Sequence, residues 1–343
     1  MKKYVKVTVQ DVDDYLEKYF VLVCSLRNPR KKAKKLAIVE VLCCLLPLKA
    51  SFIVNGPLGD VKGLISFFVL KEYKDLLPSY LKNLGYCNRF YELDFENPEL
   101  ESTSDIHSIN TLIWKKRKFS IQPFYKQSEE VYIKQSPHNR HFRIIGYDNE
   151  VKDVYGYRGD GSEKGRRALP VEDARCLVNL ALPSKINTMI DPFAGGGGII
   201  YQAKYINENI EVFSIDIDKS IEPGLVLYGS KHYVANSADI NLDTHVFDAV
   251  ITEVPFTPDA LDDICNTLKN FDSYLSPHGR VVIMLSKQQV EVIKKCIKEL
   301  NWYTVLSSLV NRRGMPVVVK VCVKSPKIYE QAKEIIKVIK GIY

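Results

Sequence analysis

Apolar and polar positions after residue 168 follow two alternating periods, which predict a regular series of strands and helices. Short β-branched runs predict strands at Ile186–Ile190, Val212–Asp216, Asp248–Thr252 and Val281–Leu285. Longer stretches with a helical period predict helices at Val171–Leu182, Ile199–Tyr205, Asp259–Leu275 and Gln288–Leu300. Because strands that alternate with helices usually pair in parallel, this part should form a Rossmann-like α/β sheet.

Two apolar runs close the series, Thr304–Val310 and Val317–Val323, with only a short turn between them. Strands so close along the chain form an antiparallel hairpin, because a parallel pair needs a longer crossover. A largely parallel sheet that ends in such a hairpin resembles the class I methyltransferase sheet more than a dinucleotide-binding sheet.

The pattern before residue 112 is less regular and predicts a smaller α+β domain. Strands are predicted at Tyr19–Ser25, Ser51–Val54 and Leu64–Leu70, and helices at Ala33–Leu46 and Lys71–Leu84. Residues 112–160 have no long period and interleave aromatic with basic residues, which indicates loops. We therefore expect an N-terminal α+β domain over residues 1–125 and a Rossmann-like domain over residues 126–343.

Composition excludes several classes of protein. The chain is 46% hydrophobic and 26% charged, as a folded globular protein is. Its longest apolar runs, such as Leu36–Leu48, are too short for a bilayer, and the N-terminus does not resemble a signal peptide. The eight cysteines include no Cys-x-x-Cys pair. We expect reduced structural cysteines, no metal site, no membrane segment and a cytoplasmic location.

The net charge of +7 lies mainly in the first 150 residues. Basic clusters at residues 27–35 and 115–118 suit a polyanion such as RNA, and also suit a solvated surface. Basic and aromatic residues continue beyond them, and loops of this composition can contact phosphates and stacked bases. The predicted substrate-binding residues are Arg140, Arg143, Arg158 and Arg167.

The run Asp191-Pro-Phe-Ala-Gly-Gly-Gly-Gly198 lies between a predicted strand and a predicted helix. Glycines let backbone N–H groups approach a ligand closely. The dinucleotide pattern G-x-G-x-x-G fails at Ile200, which weighs against a pyrophosphate cofactor. Carboxylates at the ends of the next strands could bind ribose hydroxyls and an adenine amino group. The predicted cofactor-binding residues are Asp191, Phe193, Gly195, Gly197, Asp216 and Asp239.

The run Thr252-Glu253-Val254-Pro255-Phe256 should lie at the same sheet edge. An exocyclic amine is a poor nucleophile because its lone pair is delocalised into the ring. Acceptors for its protons, such as the Glu253 carboxylate and the carbonyl of Val254 or Pro255, would favour attack, and Phe256 could stack the base. The predicted catalytic residues are Glu253, Pro255 and Phe256.

These motifs together resemble the tRNA guanine-N2 methyltransferases that modify guanosine 10. The similarity includes Pro170, Ala174-Arg175 and Asn179-Leu180-Ala181 on one helix, and the turn Asp191–Gly195. It covers about residues 130–325 and implies a class I catalytic domain, S-adenosylmethionine as methyl donor and RNA, most often tRNA, as substrate. A small activating protein partner, which some relatives use, is left open.

The chain departs from that family at its catalytic motif and at its N-terminus. The usual motif is Asp-Pro-Pro-Tyr, and glutamate moves the carboxylate by about 1.5 Å. A displacement of about 1 Å can cost about a hundredfold in rate. Residues 1–125 do not match the family's THUMP-type RNA-binding module. DNA or protein amino methylation and a non-catalytic cofactor- or RNA-binding homologue are therefore alternatives to methylation of guanine N2 in tRNA.

Overall fold

The structure is a computed structural model, and it describes most of the chain. The described residues are 4–5, 12–27, 30, 33–48, 52–54, 63–98, 113–114, 117–127, 131–134, 141–145, 151–155, 169–243, 245–312 and 314–333. They form two compact units, of which the first ends at Gln127 and the second ends at Lys333. The domain division predicted after residue 125, with its functional roles, stays a prediction.

The first unit is a six-stranded sheet with short helices. Its strands are β1 (Tyr4–Val5), β2 (Tyr19–Leu26), β3 (Phe52–Val54), β4 (Leu64–Leu70), β5 (Cys87–Asp94) and β8 (Ser120–Lys126), with a separate pair β6 (Ile113–Trp114) and β7 (Arg117–Lys118). Its helices are α1 (Val12–Lys18), α2 (Lys34–Cys44) and α3 (Leu77–Leu81). The sheet order is β1–β3–β4–β2–β5–β8, so the predicted α+β character is confirmed.

The helix predicted at Lys71–Leu84 is interrupted. Residues Lys71–Leu76 form a 3₁₀ helix, and α3 begins afterwards with Pro78 in its first turn. Proline has no N–H to continue an α-helical ladder, but it is well suited to a first helical turn. The single predicted helix is therefore two short ones.

Two arginines of the basic cluster at residues 27–35 support the first unit from within. The Arg30 side chain is buried, and its guanidinium carbon lies 5.4 Å from the centre of the Tyr86 ring. Arg27 Nε donates to the Gly85 carbonyl at 2.9 Å, and its Nη2 donates to Gln127 at 2.8 Å. These two cations therefore hold internal turns together and are not simply part of a solvated surface.

A three-stranded antiparallel sheet opens the second unit, with β9 (Val131–Lys134), β10 (His141–Ile145) and β11 (Val151–Tyr155) in the order β11–β10–β9. The sequence predicts loops here, and for these strands that prediction is wrong. Charged residues interrupt β10 and β11, as in Val151-Lys-Asp-Val-Tyr155, and hide the apolar period of a short strand, while β9 is only four residues long.

The main sheet of the second unit has seven strands. They are β12 (Thr188–Asp191), β13 (Glu211–Asp216), β14 (Ser230–Val234), β15 (Phe247–Glu253), β16 (Leu275–Ser286), β17 (Tyr303–Arg312) and β18 (Met315–Val323). The order is β14–β13–β12–β15–β16–β18–β17, in which the first five are parallel and β18 is antiparallel to both neighbours. Counted from β12 this is 3-2-1-4-5-7-6, which differs from the dinucleotide-binding order by the inserted antiparallel strand. The predicted Rossmann-like class I methyltransferase sheet is confirmed.

Helices cover both faces of this sheet. They are α4 (Val171–Leu180), α5 (Gly198–Ile206), α6 (Glu222–Leu227), α7 (Leu261–Tyr274) and α8 (Val290–Glu299). Because parallel connections are right-handed and the strand order reverses between β12 and β15, α5 and α7 lie on opposite faces. A core cluster lies under α7 and α8 and includes Phe247, Phe271 and Ile293.

The cysteines lie in apolar surroundings. All eight occupy described positions, six are buried, and none forms a disulfide there. In the part of the chain that the structure describes, no helix combines the length and the apolar surface that a membrane crossing requires.

Candidate active site

The candidate site lies at the carboxyl edge of the main sheet, between β12 and β15. Connections leave these two strands towards opposite faces, and a crevice forms at such a reversal. Thr252 Oγ1 donates to Asp191 Oδ1 at 2.7 Å, so the two strand ends are joined directly. The Phe193 N–H donates to the same oxygen at 3.1 Å. Asp191 therefore fixes the start of the glycine turn against the strand that carries Glu253.

Asp191 is almost fully buried, at 1% exposure. Burial raises the pKa of its carboxyl to about 7, against the opposing effect of the hydrogen bonds from Thr252 and Phe193. The negative charges of Asp216 and Glu253 raise this pKa further. The geometry favours a role of Asp191 in orienting the turn over contact with the amino-acid part of a cofactor.

The glycines of the turn have different surroundings. Gly195 and Gly197 have φ values of +49° and +77°, in the left-handed region that favours glycine. A Cβ on Gly197 would lie 2.7 Å from Leu225 Cδ2, so this glycine allows close packing on α6. A Cβ on Gly195 would have no atom within 4 Å. Gly195 therefore faces open space, as a residue beside a ligand must.

Asp216 lies beside Gly195, at the end of β13. Its Oδ2 accepts from the Gly195 N–H at 2.9 Å, and its Oδ1 accepts from the Asp218 N–H at 3.0 Å. A carboxylate oxygen can accept more than one hydrogen bond, so these two bonds do not by themselves prevent contact with ribose hydroxyls. The next side chain, Ile217, is 67% exposed although it is apolar. Ile217 was not predicted from the sequence, where its only signal is its place directly after the carboxylate.

Asp239 lies on an anchored loop after β14. Asn270 Nδ2, on α7, donates to the carbonyls of Ser237 and Ile240 at 3.1 and 2.9 Å. The Ala235 N–H donates to the Asp216 carbonyl at 3.1 Å and ties the start of this loop to β13. The Asp239 side chain is exposed and therefore accessible to a ligand.

These features together fit an adenosine-containing ligand. The open space at Gly195 admits it, the Asp216 carboxylate suits its hydroxyls, and Ile217 offers an apolar surface to a base. Among the described residues, no group of three His, Cys, Asp or Glu side chains is placed to hold a metal ion.

Glu253 ends β15 at the same crevice, and two residues from other elements accompany it. Arg312 Nη1, at the end of β17, donates to Glu253 Oε1 in an ion pair. Arg312 Nε also lies 4.0 Å from Asp173 Oδ2 on α4. The side chains of Glu253 and Arg312 are 20% and 17% exposed, and that of Asp173 is fully buried. Neither Arg312 nor Asp173 was predicted as a site residue from the sequence.

Burial raises the pKa of Glu253 to about 7. The positive charge of Arg312 opposes this increase, and the negative charge of Asp173 adds to it. Near neutral pH the carboxyl is therefore divided between its charged and neutral forms.

The rest of the catalytic run leaves the strand with defined contacts. The Pro255 carbonyl accepts from Gln289 Nε2 at 2.7 Å, and the Val254 N–H donates to the Met284 carbonyl at 3.0 Å. Because the Pro255 carbonyl already has a donor, the Val254 carbonyl is the better candidate acceptor for a substrate amine. The rings of Phe256 and Phe193 are half-buried against the core under α7.

The predicted substrate-binding arginines cannot be placed with the site. Arg140, Arg158 and Arg167 lie outside the described residues. Arg143 lies in β10, but its side chain is outside what the structure describes. Their role stays a prediction.

No protein-family profile matches the chain. A protein of Methanothermococcus thermolithotrophicus described as "Probable tRNA (guanine(10)-N2)-dimethyltransferase" is 26% identical in an alignment 131 residues long, which covers 34% of this chain and 80% of that protein. Solved structures that align with the chain include TrmN from Thermus thermophilus, at 14% identity and a TM-score of 0.47, over 89% of this chain and 99% of that one.

Magnesium protoporphyrin IX methyltransferase from Synechocystis PCC 6803, solved with bound S-adenosylmethionine, aligns at 11% identity and a TM-score of 0.38, over 49% of this chain and 88% of that one. The fold assignment rests on the strand order described above. The match to the M. thermolithotrophicus protein confirms the resemblance predicted from the sequence, that of a class I methyltransferase similar to the tRNA guanine-N2 enzymes.

Proposed function

We propose that this chain is an S-adenosylmethionine-dependent methyltransferase that modifies an exocyclic amino group of RNA, namely guanine N2 in tRNA. The observation that carries the proposal is the position of the Glu253 carboxylate. It lies at the reversal of strand order, and the Thr252–Asp191 hydrogen bond connects its strand to the glycine turn. The similarity to a described tRNA dimethyltransferase supports the choice of substrate.

The residues around the glycine turn suit the methyl donor. Asp216 would accept hydrogen bonds from the ribose hydroxyls, Asp239 would accept one from the adenine amino group, and Gly195 would leave room beside them. When bound, S-adenosylmethionine supplies a methyl group activated by a positively charged sulfur.

Glu253 suits the amine that receives the methyl group. A carboxylate that accepts an amino proton draws the nitrogen lone pair out of conjugation with the ring, and it can take up the proton that the nitrogen loses. Since the pKa of Glu253 is about 7, a substantial fraction is charged at neutral pH. Guanine carries N1–H and N2–H donors side by side, and the two oxygens of one carboxylate match them. This match favours guanine over other bases.

RNA suits the rest of the chain. A base must leave its stack, or be unpaired already, to enter a crevice at a sheet edge. The exposed part of the Phe256 ring offers a surface on which it can stack. Much of the net charge of +7 comes from the first 150 residues, and their lysines suit the phosphate backbone.

The test is methyl transfer from labelled S-adenosylmethionine to unmodified tRNA transcripts, followed by nucleoside mass spectrometry. We expect N2-methylguanosine, and a loss of about a hundredfold or more in rate for Glu253→Gln. The matched control is Glu291→Gln, because that glutamate is exposed on α8. If the chain methylates DNA or protein and not tRNA, the proposed substrate is wrong. Cofactor binding without any methyl transfer would support a non-catalytic homologue.

A further inference from the structure

The ion pair of Glu253 joins three elements that are far apart along the chain. Glu253 ends β15, Arg312 ends β17 at the tip of the terminal hairpin, and Asp173 lies in the first turn of α4. Arg312 therefore forms ion pairs with two carboxylates, with Glu253 through Nη1 and with Asp173 through Nε. The five donors of a guanidinium, in their planar fork, suit such a bridge.

The burial of the three side chains makes this more than a surface ion pair. Exposed pairs contribute little because water and salt screen them. Here Asp173 is fully buried, and Glu253 and Arg312 are at most 20% exposed. Removal of the Arg312 charge would leave two largely buried carboxylates without it, and such losses are large. The structure therefore defines where the Glu253 carboxylate lies.

The length of Glu253 explains why a partner is needed. Glutamate has one more rotatable bond than the aspartate of the resembling family's motif, and its oxygens extend about 1.5 Å further. A freely rotating longer carboxylate would be a poor acceptor for an amine, because displacements of about 1 Å can cost about a hundredfold in rate. Arg312 occupies the position that removes this freedom.

We propose that Arg312 is a positioning residue for methyl transfer, which fixes the longer carboxylate of Glu253 at the crevice. The proposal rests on the function proposed above and explains the departure from Asp-Pro-Pro-Tyr. Arg312 acts through Glu253 and needs no contact with the substrate. A glutamate here and an arginine at the hairpin tip therefore form a matched pair.

The charges around Glu253 determine the direction of each effect. Among the described residues, the positive group that faces it is Arg312 on β17, and the negative groups are Asp173 on α4 and Asp191 on β12. Loss of the arginine charge should raise the pKa of Glu253, and loss of the Asp173 charge should lower it. Arg312→Gln and Asp173→Asn therefore have opposite predicted shifts. A general loss of structure would not produce opposite shifts.

The experiment measures the carboxyl titration and the reaction together. Infrared difference spectra against Glu253→Gln give the titration of Glu253 without any substrate. Rates on tRNA transcripts give kcat and KM across the pH range. For Arg312→Gln we expect a titration at higher pH and a kcat about a hundredfold lower at pH 7, with little change in KM. Arg312→Lys keeps a positive charge, so it should restore the titration and part of kcat.

Arg280→Gln is the matched control, since this arginine lies in β16 opposite Ala249, four residues before Glu253 on β15. An unshifted titration in Arg312→Gln, with an active unaltered protein, would overturn the positioning role alone. The positioning role is also overturned if Arg312→Lys is no better than the glutamine variant. If the unaltered protein methylates no RNA, the proposed function falls, and the role of Arg312 in methyl transfer falls with it. The folded content of every variant is checked by circular dichroism. If Arg312→Gln does not fold, the lysine variant and Asp173→Asn carry the test.

Discussion

Gly195 and Gly197 provide a matched pair of substitutions that locates the ligand. Both residues have left-handed backbone, but only Gly197 has close neighbours at the position of a Cβ. Alanine at either position must adopt a conformation that L-residues avoid. The two variants therefore share a backbone cost and differ in what the added methyl group meets.

The magnitudes follow from these surroundings. Left-handed backbone costs about 1–2 kcal/mol for an alanine. At Gly197 the Cβ would also lie 2.7 Å from Leu225 Cδ2 and 3.2 Å from Tyr228 Cδ2. Leu225 is buried, so repacking should cost about 1–3 kcal/mol more. We expect Gly197→Ala to lose about 2–5 kcal/mol of unfolding free energy and Gly195→Ala about 1–2 kcal/mol.

Affinity for S-adenosylmethionine should show the reverse order. The methyl group of Gly195→Ala enters the open space that the proposed cofactor would use, so we expect affinity to fall at least about tenfold, or about 1.4 kcal/mol. Gly197→Ala should bind almost normally while it is folded, because its methyl group points at α6. Urea denaturation gives the unfolding free energies, and titration calorimetry gives the affinities.

Two results would refute this reasoning. If Gly195→Ala binds the cofactor as tightly as the unaltered protein, the open space beside Gly195 is not where the cofactor lies. If both variants lose the same unfolding free energy, the close approach of Gly197 to Leu225 does not govern its cost.

Three further predictions concern single side chains. Because the folded-state pKa of Asp191 is raised, the stability that its carboxyl contributes is complete below the ordinary value of 3.8 and is lost as the pH rises to about 7. As the pH rises across that range, the unfolding free energy of Asp191→Asn should therefore increase relative to that of the unaltered protein by up to about 4 kcal/mol. Urea denaturation measures both free energies, and a difference that stays constant with pH would contradict this. Glu40 is buried and accepts hydrogen bonds from the N–H groups of Gly85 and Tyr86. Glu40→Gln should therefore lower the unfolding free energy by about 1–3 kcal/mol, as measured by thermal denaturation. An unchanged stability would contradict the role of both bonds. Asp239→Ala should lower the affinity for the cofactor about fivefold in calorimetry. It should leave the melting temperature nearly unchanged, because the side chain is exposed. A large loss of stability would indicate a structural role instead.

Much of the second unit could be predicted from its sequence, because local pattern and tertiary structure agree there. The β-branched runs at β12, β13 and β15 are short and bounded by turn residues, and their order with the helices predicts a parallel sheet. The hairpin β17–β18 follows from its short turn. Glu253, Asp216 and the glycine turn share one sheet edge for the same reason, because the carboxyl ends of parallel strands meet there.

The charged residues around Glu253 could not be predicted, because their positions depend on how distant elements pack. Arg312 appears in the sequence as one of two arginines in a polar turn, and Asp173 as an ordinary acidic residue in the first turn of a helix. Only the inserted position of β18 shows how the terminal hairpin joins the sheet. The burial of Arg30 could not be predicted either, because a cluster of charges along the chain does not show which member turns inwards.

The place of the terminal hairpin in the chain has a consequence for synthesis on the ribosome. Arg312 follows Glu253 by 59 residues, so at about 5–20 residues per second Glu253 is made roughly 3–12 s before its counter-ion. Until β18 is made, β16 is an open strand edge that can pair with another chain. We expect a nascent chain that stalls before the hairpin to aggregate readily. The last strands therefore protect the folding protein as well as complete its crevice.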